Sequence, residues 1–415
     1  MGRGRALHYG WVVALMGLLT TIGAHGFGRM TYTVILPDMK EGLGLIYAPM
    51  GLLATGNFLG YLVAALLGGM LATRYGSRLV ISLSLLLIGL SMILTGFARS
   101  FEFALAMRTL TGLGNGGAYV PAMALGSAWF SMRRRGFATG VIAAGIGGGT
   151  LLAGILVPPI IEAHGSDGWR FAWYYLGGAV LIISGVCLAA IRNRPEELGL
   201  KPVGAEEAPG EELEEAKAKE AATWKEVYRL RRVWHLGAVY FAYGFSYVIY
   251  WTFFAAFLVK EMGMSYSRAG SLVALVGGLS IICGILWGGL SDLLGRRWGL
   301  TLSYGTLALA YTIFALEKSP AGHYLSAVIF GVTAWSVPVI MAAAAGDYVG
   351  PRLSPAGLGF ITIFFGLGQA LGPWVGGALA DSTGSFTLPF LLAAAVSLAG
   401  ALGSQTLRKG LGGSK

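Results

Sequence analysis

The sequence predicts an all-α membrane protein in which twelve transmembrane helices form two six-helix repeats. Three observations predict this fold: the composition, a series of long apolar runs and an internal repeat. Of the 415 residues, 55% are hydrophobic and only 12% are charged, whereas about 25% of an ordinary soluble domain is charged. A soluble fold of this size could not cover its core with so little polar surface. The abundance of apolar residues also excludes intrinsic disorder.

Twelve apolar runs are long enough to cross a membrane as helices. A hydrocarbon core of about 30 Å requires about 20 mostly apolar residues, because lipid offers the backbone no hydrogen-bond partner. The first run is too long for a cleaved signal peptide. The runs span 9–36, 45–72, 79–97, 101–126, 137–160, 171–191, 234–259, 268–290, 298–317, 322–346, 355–380 and 386–407.

The basic residues predict how these helices are oriented. Of the 30 Lys and Arg residues, 22 fall at the chain ends or in connections on the same side as the ends, such as Arg3, Arg5 and 133–135. Six fall on the other side, and Arg29 and Arg108 lie inside runs. Because basic loops stay cytoplasmic, we expect a multi-pass protein of the cytoplasmic (inner) membrane with both termini in the cytoplasm. The net charge of +10 is then a matter of topology, and we expect no nucleic-acid partner.

A polar stretch divides the chain into three predicted parts. These are an N-terminal six-helix bundle (1–191), a cytoplasmic linker (192–233) and a C-terminal six-helix bundle (234–415). The linker has an acidic block at 206–220, followed by Trp224, Val227 and Tyr228 at helical spacing. It is either a solvated connection that ends in an interfacial helix or a regulatory docking site.

An internal repeat relates the two halves. Residues 69–78 are similar to 288–297 at an offset of 219, and Pro121 matches Pro338 at an offset of 217. The glycines of the fifth and eleventh runs superimpose at an offset of 223. Three correspondences in the same order predict two repeats related by an axis along the membrane normal.

These repeated segments resemble the major facilitator superfamily across essentially the whole chain. The most specific part is the loop after the eighth run, with Asp292, Gly295, Arg296 and Arg297. The loop after the second run departs from the pattern, since Thr73 replaces the usual Asp and Ser77 the usual Arg. The resemblance implies a structural or gating role for the remaining motif residues, which are Gly69, Arg74, Gly76, Arg78, Arg108, Gly372 and Pro373.

Shorter segments resemble particular branches of this superfamily. Residues 25–29 and 368–373 are similar to the YbfB-like branch, and 192–200 to bacterial monocarboxylate and oxalate/formate carriers. The glycines before Pro373 resemble an antiporter motif that is usually found in the fifth helix. The resemblance implies the major facilitator fold, alternating access between the two halves and a monomeric transporter.

Arg29 is the residue that we expect to bind a substrate. It lies about twenty residues into the first run, and His25, four residues earlier, shares its helical face. A buried guanidinium is costly unless it is paired, and its planar fork suits a carboxylate, sulfonate or phosphate. No Asp or Glu occupies the middle third of any predicted helix. In the alternative, Arg29 is structural and either extends to the membrane surface or bonds to backbone carbonyls.

Aromatic and amide residues complete the candidate site. Tyr243, Tyr247 and Tyr250 follow one another at helical spacing, which predicts one stripe. A stripe that faces a central cavity would offer phenolic donors to a solute, whereas one that faces lipid would be unremarkable. The other candidates either line the cavity or bond within a bundle: Asn57, Asn115, Tyr119, Trp335 and Gln369. For Arg108 we favour a role in helix packing.

No pattern of an enzyme is present. The sequence has no nucleophile elbow, metal-ligand cluster or phosphate-binding loop. Its two cysteines, Cys187 and Cys283, lie in apolar runs and indicate no disulfide framework. We therefore expect neither a cofactor nor a metal.

The sequence thus predicts a secondary active transporter of a small, monocarboxylate-like organic anion. It would be a proton symporter or an exchanger, with the solute, H⁺ and the lipid bilayer as its partners. The alternative within transport is an exporter of amphipathic or cationic compounds, which an aromatic cavity would also suit. Outside transport, the alternative is a membrane receptor or scaffold that moves no solute.

Overall fold

The computed structural model describes residues 8–205, 227, 229–349 and 353–407. Within these ranges, nearly all regular structure is helical, and extended residues pair in one isolated bridge between Phe130 and Val203. The twelve long helices of the described chain are α1 Tyr9–Gly42, α2 Tyr47–Tyr75, α3 Ser77–Gly96, α4 Phe101–Trp129, α5 Met132–His164, α6 Gly168–Ala190, α7 Arg231–Glu261, α8 Tyr266–Leu294, α9 Arg296–Leu316, α10 Pro320–Val349, α11 Ser354–Thr383 and α12 Thr387–Gln405.

The predicted fold class is confirmed, with a helix over each of the twelve runs in the described chain. Ten helical stretches there are long and apolar enough to cross a membrane, and one of them, Met132–Ala190, contains both α5 and α6. α4 falls outside this set, since Arg108, Asn115 and several glycines lower its hydropathy. The expected linker helix at Trp224 and Tyr228 lies outside the described residues, and the domain boundaries stay a prediction.

α1 is longer than predicted because Pro37 does not end it, and α5, whose predicted run 137–160 already contains Pro158 and Pro159, ends four residues later than predicted. α1 continues through Pro37 to Gly42, and α5 continues through Pro158 and Pro159 to His164. Tightly packed membrane helices tolerate the missing donor because neighbouring groups satisfy the backbone. α10 behaves differently: its α-helical geometry is interrupted between Thr333 and Ser336, just before Pro338.

Helix packing has the symmetry that the sequence repeat predicts. In the first bundle, α1 packs on α5, α2 on α4, and α3 on α4 and α6. In the second, α7 packs on α11, α8 on α10, and α9 on α10 and α12. Adding six to each helix number turns the first set into the second, so the two halves have the same internal arrangement.

The two bundles meet along a seam with two equivalent sides, α5 against α8 and α2 against α11. Glycines let the backbones approach closely there. A Cβ on Gly277 of α8 would lie 2.4 Å from Leu151 N of α5, and one on Gly377 of α11 would lie 2.3 Å from Tyr47 O of α2.

Some of the repeated glycines of the fifth and eleventh runs lie away from this seam. Gly145 and Gly149 pack on α1, and Gly368 and Gly372 pack on α7, so they join helices inside one bundle. Pro373 does lie at the seam, with its carbonyl against Gly51 of α2. The reason is that α5 and α11 each contact helices on two faces, and glycine spacing does not say which face meets the other bundle.

The contacts along the seam concentrate toward one end. We call the face at which the described chain begins and ends the terminal face, and the opposite one the far face. The seam contacts involve the far-face halves of α5, α8, α2 and α11. Toward the terminal face, Gly136 and Gly140 of α5 and Gly289 of α8 have no atom of the described residues within 4 Å of where a Cβ would stand. Among the described residues, the glycine contacts between the bundles therefore lie in the middle and toward the far face.

Two equivalent carboxylates hold the far face closed. Asp381 at the end of α11 accepts hydrogen bonds from Tyr47 N and Ala48 N at the start of α2, at 2.8 and 2.7 Å. Glu162 at the end of α5 accepts from Ser267 N at the start of α8, at 3.2 Å. Glu162 precedes Asp381 by 219 positions, as Ala48 precedes Ser267. A carboxylate at a helix N-terminus is favourable, so the repeat places one such contact on each side of the seam.

Candidate substrate-binding site

The candidate site begins with a π-helical segment in the middle of α1, Ile22–Met30. Thr31 bonds back to Gly26 O through both its N–H, at 3.1 Å, and its hydroxyl, at 2.9 Å. Gly26 packs directly on Gly149 of α5, where a Cβ would lie 2.4 Å from the Gly149 Cα. π-helical turns inside α-helices occur often at functional sites, and this one carries His25 and Arg29.

Arg29 lies at the seam between the bundles and is 7% exposed. Its Nη2 donates to Gln369 Oε1 of α11 at 2.8 Å, and Gln369 Nε2 in turn donates to the Tyr247 hydroxyl of α7. The rings of Phe58 and Tyr61 of α2 lie 4.1 and 4.9 Å from its Cζ atom. Arg29 thus points into the protein and joins the first bundle to the second.

No acidic side chain neutralises Arg29 in the described part of the chain. Its Nε atom is buried and has no hydrogen-bond partner there. The two ring contacts and the neutral amide offset only part of the cost of burying a charge, since a cation–π contact contributes about 0.5–2 kcal/mol. The guanidinium therefore retains an unused donor and an unbalanced positive charge.

His25 lies beside Arg29, as its spacing predicted. Its ring packs 4.5 Å from the Tyr119 ring and 5.5 Å from the Tyr61 ring, which also contacts Arg29. His25 Nδ1 is buried and has no hydrogen-bond partner among the described residues. The first bundle thus places a titratable group and a cation on one wall of the seam.

The tyrosines of α7 form the opposite wall. The rings of Tyr240, Tyr243 and Tyr247 stack nearly parallel to Phe365 of α11, at 4.6 to 6.1 Å. The Tyr243 hydroxyl donates to Ala334 O, a carbonyl that Pro338 cannot bond because proline lacks the donor. Trp335, at the interruption of α10, packs edge-on to Tyr247 at 5.9 Å.

Tyr250 does not join the other tyrosines. Its hydroxyl bonds to Ser326 Oγ at 2.8 Å, and its ring packs among Tyr311, Phe314 and Phe330 inside the second bundle. The interpretation of a single stripe was too broad here. Tyr250 lies about 10 Å along the axis from Tyr243 and at that level meets other helices of its own bundle. We therefore no longer group Tyr250 with the seam residues.

The asparagines and Arg108 lie deeper in the first bundle. Arg108 Nη1 donates to Gly28 O at 2.9 Å, and Asn57 Nδ2 donates to Arg108 O at 3.1 Å. Asn115 lies between the carbonyls of Thr111 and Ala24, at 3.1 and 2.8 Å. Asn115 therefore bonds within the bundle, whereas Asn57 and Arg108 also line a small cavity of about 20 Å³ beside Arg29.

The repeated loops make different contacts in the two halves, as the replacement of the usual Asp by Thr73 predicted. In the second half, Arg296 bonds to Asp292 at 2.5 Å and to Asp347 of α10 at 2.9 Å, and Arg297 bonds to Gln405 of α12.

In the first half, Arg78 bonds instead to Asn193 Oδ1 and Leu188 O. The Thr73 hydroxyl donates to Gly69 O of its own helix, and the guanidinium of Arg74 lies near the adjacent Tyr75 ring. A Cβ on Gly69 would lie 3.9 Å from Val120 Cγ1.

Gly76 and Gly295, which are 219 positions apart, adopt the same backbone conformation, with φ of 82° and 85°. Side chains other than glycine rarely tolerate this φ, which is why both loops retain a glycine.

Sequence reasoning missed three aromatic residues of the site, which are Phe58, Tyr61 and Phe365. It placed Tyr240 in the same stripe as Tyr243 but did not count it among the candidates. A usable signal existed for two of the three missed residues. Tyr61 and Phe365 each lie four residues from a candidate, Asn57 or Gln369, and so share its helical face. His323 lies apart from these residues and is fully buried between the Phe257 and Phe314 rings.

Two repeated bundles around a polar seam define a membrane transport protein. The family model of the Major Facilitator Superfamily matches residues 18–282 and 236–408. The chain belongs to the Major Facilitator Superfamily, so it is a membrane transporter rather than an enzyme.

Individual relatives are similar over most of the chain. A probable sulfoacetate transporter of Cupriavidus necator is 28% identical over 399 residues, which cover 91% of this chain and 89% of the relative. Monocarboxylate transporter 12 of Rattus norvegicus is 27% identical over 358 residues, covering 80% and 71%. A solved structure of a bacterial homolog to the human lysosomal transporter Spinster, inward-facing and unoccupied, gives a TM-score of 0.73 at 18% identity and covers 96% of this chain and 95% of that one. That last likeness is one of fold alone.

Proposed function

We propose that this chain is a secondary transporter that moves a small organic anion across the cytoplasmic membrane by alternating access, and that Arg29 holds the anion. One observation carries the proposal. Arg29 is a buried cation at the seam, with a free Nε donor and no acidic partner among the described residues. An anionic solute supplies the missing negative charge and the missing acceptor.

The charge of the site favours an anion over a cation. Arg29 and Arg108 both line the small cavity between the bundles, and its other lining residues are neutral. A cationic compound would be repelled there, even though stacked aromatic rings are otherwise suited to it. Export of cationic compounds is therefore the weaker candidate.

The relatives support the same class of solute. Their names specify sulfoacetate and monocarboxylates, which are organic acids that a guanidinium can bind through two parallel hydrogen bonds. We propose that the aromatic side chains of Tyr243, Tyr247 and Trp335 contact the carbon skeleton of the solute. Gln369 and Tyr119 then orient the solute in the site. If transport is coupled to a proton, we assign the proton to His25; the alternative is exchange for a second anion.

We also propose that both termini face the cytoplasm, because basic residues concentrate at the terminal face. The seam then opens toward the cytoplasm and is closed outside. In this inward-open state the solute would enter or leave through the terminal face. The transporter acts as a monomer, since each chain contains both halves of the site.

The test is uptake or counterflow in proteoliposomes with the Arg29→Gln variant. We expect transport of organic acids to fall to background while gel filtration and the melting temperature stay close to those of the unaltered protein. Arg29→Lys keeps the charge but loses the planar fork, so we expect it to retain weak transport. Unchanged rates in Arg29→Gln would refute the role of Arg29, and absence of counterflow in the unaltered protein would favour a receptor.

A further inference from the structure

A second buried guanidinium lies next to the first. Arg108 is 1% exposed and lines the same small cavity as Arg29. Its Nη1 bonds to the carbonyl of Gly28, the residue directly before Arg29. The rings of Tyr32 and Trp173 each lie 4.9 Å from its Cζ atom.

Both arginines have unused hydrogen-bonding capacity. The Nε atom of each is buried without a partner in the described chain, and neither makes an ion pair with a described acidic residue. Two positive charges that share one cavity repel each other and have each lost their hydration. Aromatic rings and single carbonyl or amide contacts compensate only part of that cost.

A ligand with one acid group would balance only one of these charges. A ligand with two acid groups would balance both and accept from both Nε donors. Asn57 and Thr252 line the cavity as well, and they offer neutral polar groups to the part of the ligand between its ends. The cavity, about 20 Å³ in this state, has room for about one water molecule, so binding has to widen it. Tyr247, Trp251 and Thr252 of α7 form one of its walls.

We propose that the transported anion is a dianion with two carboxylate or sulfonate groups, one bound by Arg29 and the other by Arg108. This inference rests on the proposed function and narrows its substrate class. It changes the role of Arg108 from helix packing alone to selection of the substrate.

The experiment measures binding of three dianions of increasing length, oxalate, malonate and succinate, to the purified full-length protein. Each is compared with its own monomethyl ester, which has the same skeleton and one charge fewer. We expect at least one dianion to bind at least about tenfold more tightly than its ester, because a charged hydrogen-bonded contact is lost with the second acid group. Equal affinities within all three pairs, or no binding by any of the six compounds, would overturn the proposal.

Variants separate this inference from the proposed function. Arg108→Gln should bind a dianion and its ester with equal affinity, whereas Arg29→Gln should lose both. A preference for the dianion that survives in Arg108→Gln overturns the assignment of Arg108. Binding that survives in Arg29→Gln overturns the proposed function itself. If Arg108→Gln does not fold, as judged by gel filtration, the ester pairs on the unaltered protein decide the question.

Discussion

At the scale of residues, Gln369 is the partner that Arg29 has when no anion is present. The Gln369 carbonyl accepts from Arg29 while its amide nitrogen donates to Tyr247. A neutral amide is a weaker acceptor for a guanidinium than a carboxylate, so an arriving anion can replace it. Replacement would also release Gln369 of α11 from Arg29 of α1, which loosens one link between the bundles.

This account predicts the effect of Gln369→Glu. A carboxylate at this position supplies the negative charge that Arg29 lacks, so we expect a more stable protein that no longer binds the anion. Its melting temperature should rise and uptake should fall at least about tenfold, the loss that one charged contact of about 1.5–3 kcal/mol implies. Melting curves and uptake in proteoliposomes measure the two effects.

Gln369→Leu is the matched control, since it removes the amide without adding a charge. It should lower the melting temperature and leave anion binding dependent on Arg29. Normal uptake by Gln369→Glu would contradict the role that we give to Arg29.

At the scale of elements, the π-helical segment of α1 depends on a close approach to α5. Gly26 leaves no room for a side chain between its own backbone and that of Gly149. Since backbone atoms cannot move aside as a flexible side chain can, a larger residue here has to push α1 away from α5. That displacement would also move His25 and Arg29, which the same segment carries.

We therefore predict that Gly26→Ala destabilises the protein by about 1–3 kcal/mol or more, the usual cost of overpacking. Thermal unfolding in detergent should show this loss, and uptake by the protein that remains folded should also fall. Gly178→Ala in α6 is the control, because a Cβ there meets no atom of the described chain within 4 Å. Alanine should be neutral or slightly stabilising at that position, as it is in most helices. Equal stability of the two variants would show that α1 and α5 are not in such close contact.

At the scale of the whole molecule, the two bundles can only rock if the far-face contacts break. Asp381 and Glu162 hold the starts of α2 and α8, and Lys260 of α7 pairs with Glu41 of α1 at 2.6 Å. Glu41 and Lys260 are themselves 219 positions apart. The far-face contacts therefore follow the same two-fold relation as the helices.

We predict that the double variant Glu162→Gln and Asp381→Asn shifts the population toward a state open at the far face. Neutral amides accept hydrogen bonds from helix N-termini less strongly than carboxylates do, so the closed state should lose about 1–2 kcal/mol, or about a five- to thirtyfold change in population. Distances between spin labels at the far-face ends of α2 and α11 measure the shift.

Asp167→Asn is the control for this experiment. Asp167 pairs with Arg170 within the first bundle, at 3.2 Å and largely exposed, so its loss should not change the distance between the bundles. An unchanged distance in the double variant would mean that other contacts keep the far face closed.

The candidate site was only partly predictable, because sequence patterns specify a helix face but not its neighbour. Arg29, His25 and Gln369 stood out as polar residues in apolar runs, yet nothing in the sequence placed α11 beside α1. The stripe of α7 was visible, but the sequence could not show that Tyr250 turns into the second bundle toward Ser326. The first predicted run stopped before Pro37, whereas packing against neighbouring helices lets α1 continue to Gly42.

The sequence by itself determined the membrane class, the twelve helices and the two-fold repeat. Hydropathy is a property of consecutive residues, and the repeat is visible when two stretches of the sequence are compared. The sequence also showed that no acidic residue lies in the middle third of any predicted run. The tertiary structure decided which faces of α5 and α11 form the seam, which end of it is closed, and that Arg29 and Arg108 share one cavity. Those features join residues up to 340 positions apart, and their contacts depend on the shapes of the packed helices rather than on any local pattern.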